Sequence, residues 1–131
     1  MDFPIIIIKP DKAPLYFVKS SSQFGLISPG EPTFYRKGTI YDSAGNKYAM
    51  MGVSEIVSAP ILTSVLYLQK MRIAKPNIER LDPIDLENFK KLVIDHISEN
   101  MKYWELRDDL ESLSSEITSK NSFKEIINFL K

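Results

Sequence analysis

Apolar and polar positions follow two different rhythms along this chain. In the first half, apolar residues come in short blocks bounded by proline, glycine or serine. From residue 82 onward they recur every three or four positions. Glycine and proline, the strongest breakers of regular structure, respect the same division. All five glycines lie before position 53, all eight prolines lie at or before 83, and residues 84–131 contain neither. The front therefore predicts strands and turns, and the back predicts helices.

Ile5 to Ile8, set between Pro4 and Pro10, are β-branched without alternation, which predicts a short strand covered on both faces. Leu15 to Val18 predict a second strand opened by Pro14, followed by a loop from Ser20 to Pro32. Phe34 to Tyr41 and Lys47 to Val53 flank Asp42-Ser43-Ala44-Gly45-Asn46. That pattern predicts a hairpin in which Asp42 starts the turn and Gly45 takes the left-handed conformation. Residues 61–74 read as a strand, because Ile61, Val65, Tyr67, Met71 and Ile73 share one parity; a helix opened by Ser58 and Pro60 is the alternative.

In the back half, Asp82 suits an N-cap and Pro83 a first helical position. They predict a helix of about five turns carrying Leu86, Phe89, Leu92, Val93, His96, Ile97, Met101 and Trp104 on its apolar side. A shorter helix places Leu106, Leu110, Leu113 and Ile117 on one stripe. Ser122 and Glu125 then form a capping box for a last helix with Phe123, Ile126, Ile127 and Leu130 inward. The expected fold is a single α+β domain spanning 1–131. It consists of a mostly antiparallel sheet from the N-terminal half, packed by two or three C-terminal helices.

Composition narrows the function classes. A chain 44% hydrophobic and 26% charged is not a disordered one. The absence of cysteine excludes disulfides, thiolate metal sites and cysteine catalysis. Met1-Asp2-Phe3-Pro4 lacks a basic leader, and no stretch approaches the ~20 apolar residues of a membrane span. A cytoplasmic protein with no membrane partner is expected. Thirteen lysines against four arginines suggest an AT-rich, bacterial coding sequence. The net charge is zero, yet residues 1–80 carry ten Lys/Arg against six Asp/Glu, and residues 81–131 seven against eleven. A neutral total argues against a general nucleic-acid binder.

Candidate chemistry is sparse. His96 is the only histidine; Asp95 precedes it and Glu99 follows one turn later. No metal-ligand spacing surrounds it, so neither metal nor cofactor is expected, and its nitrogens are expected to be hydrogen-bonded beside the apolar stripe. Gly52-Val53-Ser54-Glu55-Ile56 opens like a nucleophile elbow but lacks the closing glycine, leaving Ser54 as a serine at a strand end. Tyr35, Arg36, Lys37, Tyr41, Lys47 and Tyr48 interleave aromatics and cations as a base-stacking surface would, although ordinary sheet packing uses the same residues. Between positions 99 and 116, Glu99, Glu105, Asp108, Asp109, Glu111 and Glu116 meet only Lys102 and Arg107. Such a cluster speeds encounter with a basic partner; a solvated helix junction capped by Asp108 and Asp109 is the plainer reading. Tyr103 suits an interface anchor, and Trp104 suits a core plug.

Three stretches, FYRKGTIYDSAGNKYAM (34–50), LDPIDLENFKKLVIDHISENMKYW (81–104) and SFKEIINFL (122–130), resemble the small immunity proteins of bacterial polymorphic-toxin systems of the contact-dependent inhibition type. The shared style is a hairpin with a D-x-x-G turn, a D-P-x-D helix ending in Tyr-Trp, and a terminal helix. The resemblance implies a non-enzymatic, stoichiometric inhibitor in the cytoplasm. It would bind a cognate protein toxin, such as a nuclease with a basic cleft. The expected docking residues are then Glu99, Tyr103, Glu105, Asp108, Asp109 and Glu111. A nucleic-acid-binding or regulatory module, and a small enzyme using His96, are the alternatives.

Overall fold

The computed structural model describes residues 1–10, 12–27, 32–58 and 72–131. In chain order the elements are β1 (Ile5–Lys9), β2 (Lys12–Val18), β3 (Leu26–Ile27), a 3₁₀ helix (Pro32–Arg36), β4 (Thr39–Asp42), β5 (Lys47–Ser58) and β6 (Arg72–Leu81). They are followed by α1 (Leu86–Glu99), α2 (Met101–Trp104), α3 (Leu110–Ser119) and α4 (Phe123–Leu130). The strands form one six-stranded sheet in the order β2-β1-β4-β5-β6-β3, with antiparallel pairings throughout. This is the expected α+β arrangement, with the sheet in front and the helices behind. Residues 61–71 of the segment read as a strand lie outside the described residues, and 72–74 open β6.

The isoleucine run explains why the sheet has two cores. Successive strand residues point to opposite faces, and β1 is flanked by β2 and β4. Ile6 joins the helix-side core with Tyr41, Phe89, Val93, Ile97, Ile117, Ile126 and Ile127. Ile5 and Ile7 join the opposite core with Tyr35, Ile40, Tyr48 and Met50. The second core explains one departure from expectation. Phe34 and Tyr35 do not extend the hairpin strand; they belong to the 3₁₀ turn. There their rings pack edge to face at 5.1 Å, and Phe24 meets Tyr35 at 5.8 Å. The Tyr35 hydroxyl accepts a hydrogen bond from the Gly25 amide at 2.9 Å. From this turn both residues pack against the outer core, before β4 begins at Thr39.

The hairpin turn is as expected, with Gly45 at φ +86°. Asp42, fully buried, holds it together. Its carboxylate accepts from the amides of Asp2 (3.1 Å), Ala44 (3.0 Å) and Asn46 (2.9 Å), and from Asn46 Nδ2 (3.2 Å). The Gly45 carbonyl accepts from Ile84 N at 3.1 Å. That bond ties residues 82–85 to the turn and delays the first helix. Asp85 is therefore the N-cap in place of Asp82, its Oδ1 accepting from Asn88 N at 2.8 Å.

The five-turn helix is also shorter than expected. α1 has 14 residues, about 21 Å at 1.5 Å per residue. It ends at Asn100, whose side chain donates to the His96 carbonyl at 2.8 Å. α2 is a separate turn that buries Trp104 in the helix-side core. Asp109 caps α3 through Ser112 N at 2.8 Å, so the stripe begins at Leu110 and omits Leu106. Ser122 caps α4 through Glu125 N at 3.2 Å. Glu125 returns a bond to the amide of Asn121 at 2.6 Å, one residue earlier than a capping box requires.

Candidate functional site

Two features gather the polar chemistry, and they share Glu99. The first is the junction between α1 and α3. Tyr103 (48% exposed) and Leu106 (95% exposed) stand on it, alongside the exposed side chains of Glu105, Asp108, Asp109 and Glu111. Its two aspartates have structural duties. Asp108 Oδ1 accepts from the Asp109 amide at 2.8 Å, and Asp109 caps α3. Glu111 lies in the first turn of that helix, where the positive end of the helix dipole favours an acid.

The nearby cations do not neutralise this surface. Arg107 folds back onto α4: its guanidinium lies 4.6 Å from the Phe129 ring centroid and 5.8 Å from that of Trp104. It donates to the carbonyls of Phe129 and Lys131. These are the free carbonyls of a helix end, where a cation is favoured. Lys102 sits 5.0 Å over the Tyr103 ring. Among the described residues the ion pairs are Lys90–Glu87 and Lys120–Glu116; none engages Glu99, Glu105, Asp108, Asp109 or Glu111. Leu106 was missed as a surface residue because it fits the α3 spacing. The signal was present, since the cap at Asp109 starts that helix after it.

The second feature is an open cavity of about 490 Å³ between α1 and the sheet. Ile8, Thr39 and Tyr41 line it from β1 and β4, Ile84 from the preceding loop, and Asn88, Lys91, Leu92, Asp95, His96 and Glu99 from α1. Asp95 and His96 both reach it, although adjacent helical positions differ by about 100°. His96 departs from expectation: its Nε2 is buried with no hydrogen-bond partner among the described residues. Burial lowers the His96 pKa, opposed by the Glu99 carboxylate, which raises it. The ring is therefore neutral at physiological pH. Burial also pushes the Tyr41 phenol up.

Other sequence candidates are absorbed by the fold. Tyr35, Tyr41 and Tyr48 are buried, so the hairpin offers none of them as a base-stacking platform. Ser54 lies within β5 and not at its end, with its hydroxyl donating to the Lys75 carbonyl at 3.4 Å. Among the described residues no group of three His, Asp or Glu side chains is placed to hold a metal, and no helix is long and apolar enough to cross a membrane. No family model, curated protein or solved structure matches the chain.

Proposed function

We propose that this chain is a stoichiometric inhibitor of the immunity type. It binds a cognate bacterial toxin through the α1–α3 junction and performs no reaction itself. The toxin surface it fits is basic, as the nucleic-acid cleft of a nuclease is. One observation carries the reading: Leu106 is 95% exposed among acids that no ion pair neutralises among the described residues. At that exposure Leu106 contributes nothing to either core. Beside an aromatic residue and uncompensated charge, it has the composition of an interface centre with a polar rim. The charge steers encounter, and the apolar pair supplies contact.

The test is co-expression with the protein encoded immediately upstream of this gene, which this reading expects to be a large secreted toxin. The chain should restore growth and form a 1:1 complex with that protein. A Glu105→Lys/Leu106→Ala variant spares the capping Asp109 and its neighbour Asp108 and should melt like wild type. It should bind about 10- to 30-fold more weakly, the loss expected for one interface anchor. Unchanged binding would remove the junction from the interface, and a neighbour that is neither bound nor silenced would remove the function.

A second reading, acid–base catalysis at His96, is favoured by the cavity. Against it, no carboxylate hydrogen-bonds the ring among the described residues, whereas a working histidine base is oriented by such a bond.

A further inference from the structure

The cavity beside His96 has a volume in the range of small-ligand sites, but its lining is asymmetric. Apolar groups form the walls: Ile8 from the sheet, and Ile84 and Leu92 from the loop and helix. At the rim, Asp95 and Glu99 stand one turn apart on α1, and neither has an ion-pair partner among the described residues. The Tyr41 hydroxyl makes no hydrogen bond among the described residues; its ring packs on Phe89 at 5.6 Å, and the residue lines the cavity. Because His96 is neutral, the lining holds two carboxylates against the single ammonium of Lys91. A long apolar stem ending in a delocalised cation satisfies each of these groups. Arginine has that form, with five donors in a planar fork that matches carboxylates.

We infer that this cavity is an anchor pocket for an arginine side chain of the protein partner. Its stem lies against Ile84 and Leu92, and its guanidinium is shared by Asp95, Glu99 and the Tyr41 phenol. The inference rests on the proposed binding function in one respect: Glu99 ends α1 and joins the pocket to the acidic junction, so a single basic partner surface engages both. Arginine is also among the residues that dominate interface energetics.

The experiment uses the full chain and needs no toxin. The His96 ring resonances are followed by NMR during titration with N-acetyl-arginine amide, with N-acetyl-citrulline amide as the neutral isostere. Arginine should give saturable shifts in the millimolar range, typical of a single side chain, and citrulline should give none. Asp95→Asn/Glu99→Gln should weaken the arginine response at least about fivefold. Lys91→Gln, which removes the one opposing charge, should strengthen it about two- to threefold, as expected for a solvent-exposed charge. Absence of saturation, an equal response to citrulline, or an undiminished response in the double variant would overturn the pocket. Each of these results leaves the growth-rescue test untouched, so the two ideas fail separately.

Discussion

Replacing Asp42 tests the link between the hairpin and the rest of the fold most sharply. Its carboxylate is fully buried, and three backbone amides and one side-chain amide depend on it. Asp42→Ala leaves the amides of Asp2, Ala44 and Asn46 without their acceptor. Each buried unsatisfied donor costs about 1–3 kcal/mol, and water reaches part of this turn, so a total of about 3–5 kcal/mol follows. For a domain of ordinary stability, roughly 5–15 kcal/mol, that is a large fraction, and it lowers the melting midpoint by roughly 10–20 °C. Asp42→Asn keeps one acceptor oxygen but turns an NH₂ group towards donors, and should cost less, about 1–3 kcal/mol.

The same carboxylate sets an acid dependence. Burial alone would raise its pKa, but the hydrogen bonds from Asp2, Asn46 and Ala44 hold it below the usual carboxylate range. With the folded value depressed, the stabilisation is complete above the unfolded pKa of about 3.9 and is lost as pH falls through the folded value. Urea melts of wild type and Asp42→Asn between pH 7 and 2 should therefore converge at the acid end. Hydrogen exchange at Ala44 and Asn46 should accelerate in Asp42→Ala. A loss below about 1 kcal/mol for Asp42→Ala, or parallel pH profiles for wild type and Asp42→Asn, would refute the reasoning.

Gly45→Ala should destabilise by at least about 2 kcal/mol in thermal melts, because φ is +86°, left-handed backbone costs other residues about 1–2 kcal/mol, and the new Cβ would lie 2.7 Å from the Phe123 ring. Ser122→Ala should cost about 1 kcal/mol and Ser122→Gly only a few tenths, measured by the same melts; no loss in the alanine variant would mean the hydroxyl is not the cap. His96→Leu should be neutral or stabilising at pH 7, since it removes a buried nitrogen without a partner among the described residues. Because the folded His96 pKa is lowered, wild type should also lose stability as pH falls from about 6.5 through the folded value. The leucine variant should be flat in that window, and a slope that persists in it would assign the effect elsewhere.

What could be read from the candidate site in the sequence was its charge and not its surface. Glu105, Asp108, Asp109 and Glu111 are exposed at one junction, as the run of acids implied. Leu106 fits a helical stripe by spacing, and only the cap at Asp109 removes it from that stripe. The cavity was not legible, because its walls come from residues as distant as Ile8, Tyr41 and Leu92. That the Nε2 of His96 has no partner among the described residues could not be foreseen either, since a hydrogen-bond partner is a property of neighbours and not of a residue type.

Features governed by local chemistry are legible in the residues themselves. The Asp42-to-Gly45 turn, the Ser122 cap and the division into a strand half and a helix half follow from backbone preferences within a few residues. Tertiary structure decided the rest. Phe34 and Tyr35 leave the strand because the outer face of the sheet needs aromatic cover. The first helix waits until Asp85 because Ile84 is bonded to the hairpin. In each case a long-range contact outweighs a local preference of a fraction of a kcal/mol per residue, and no single window of sequence contains both partners.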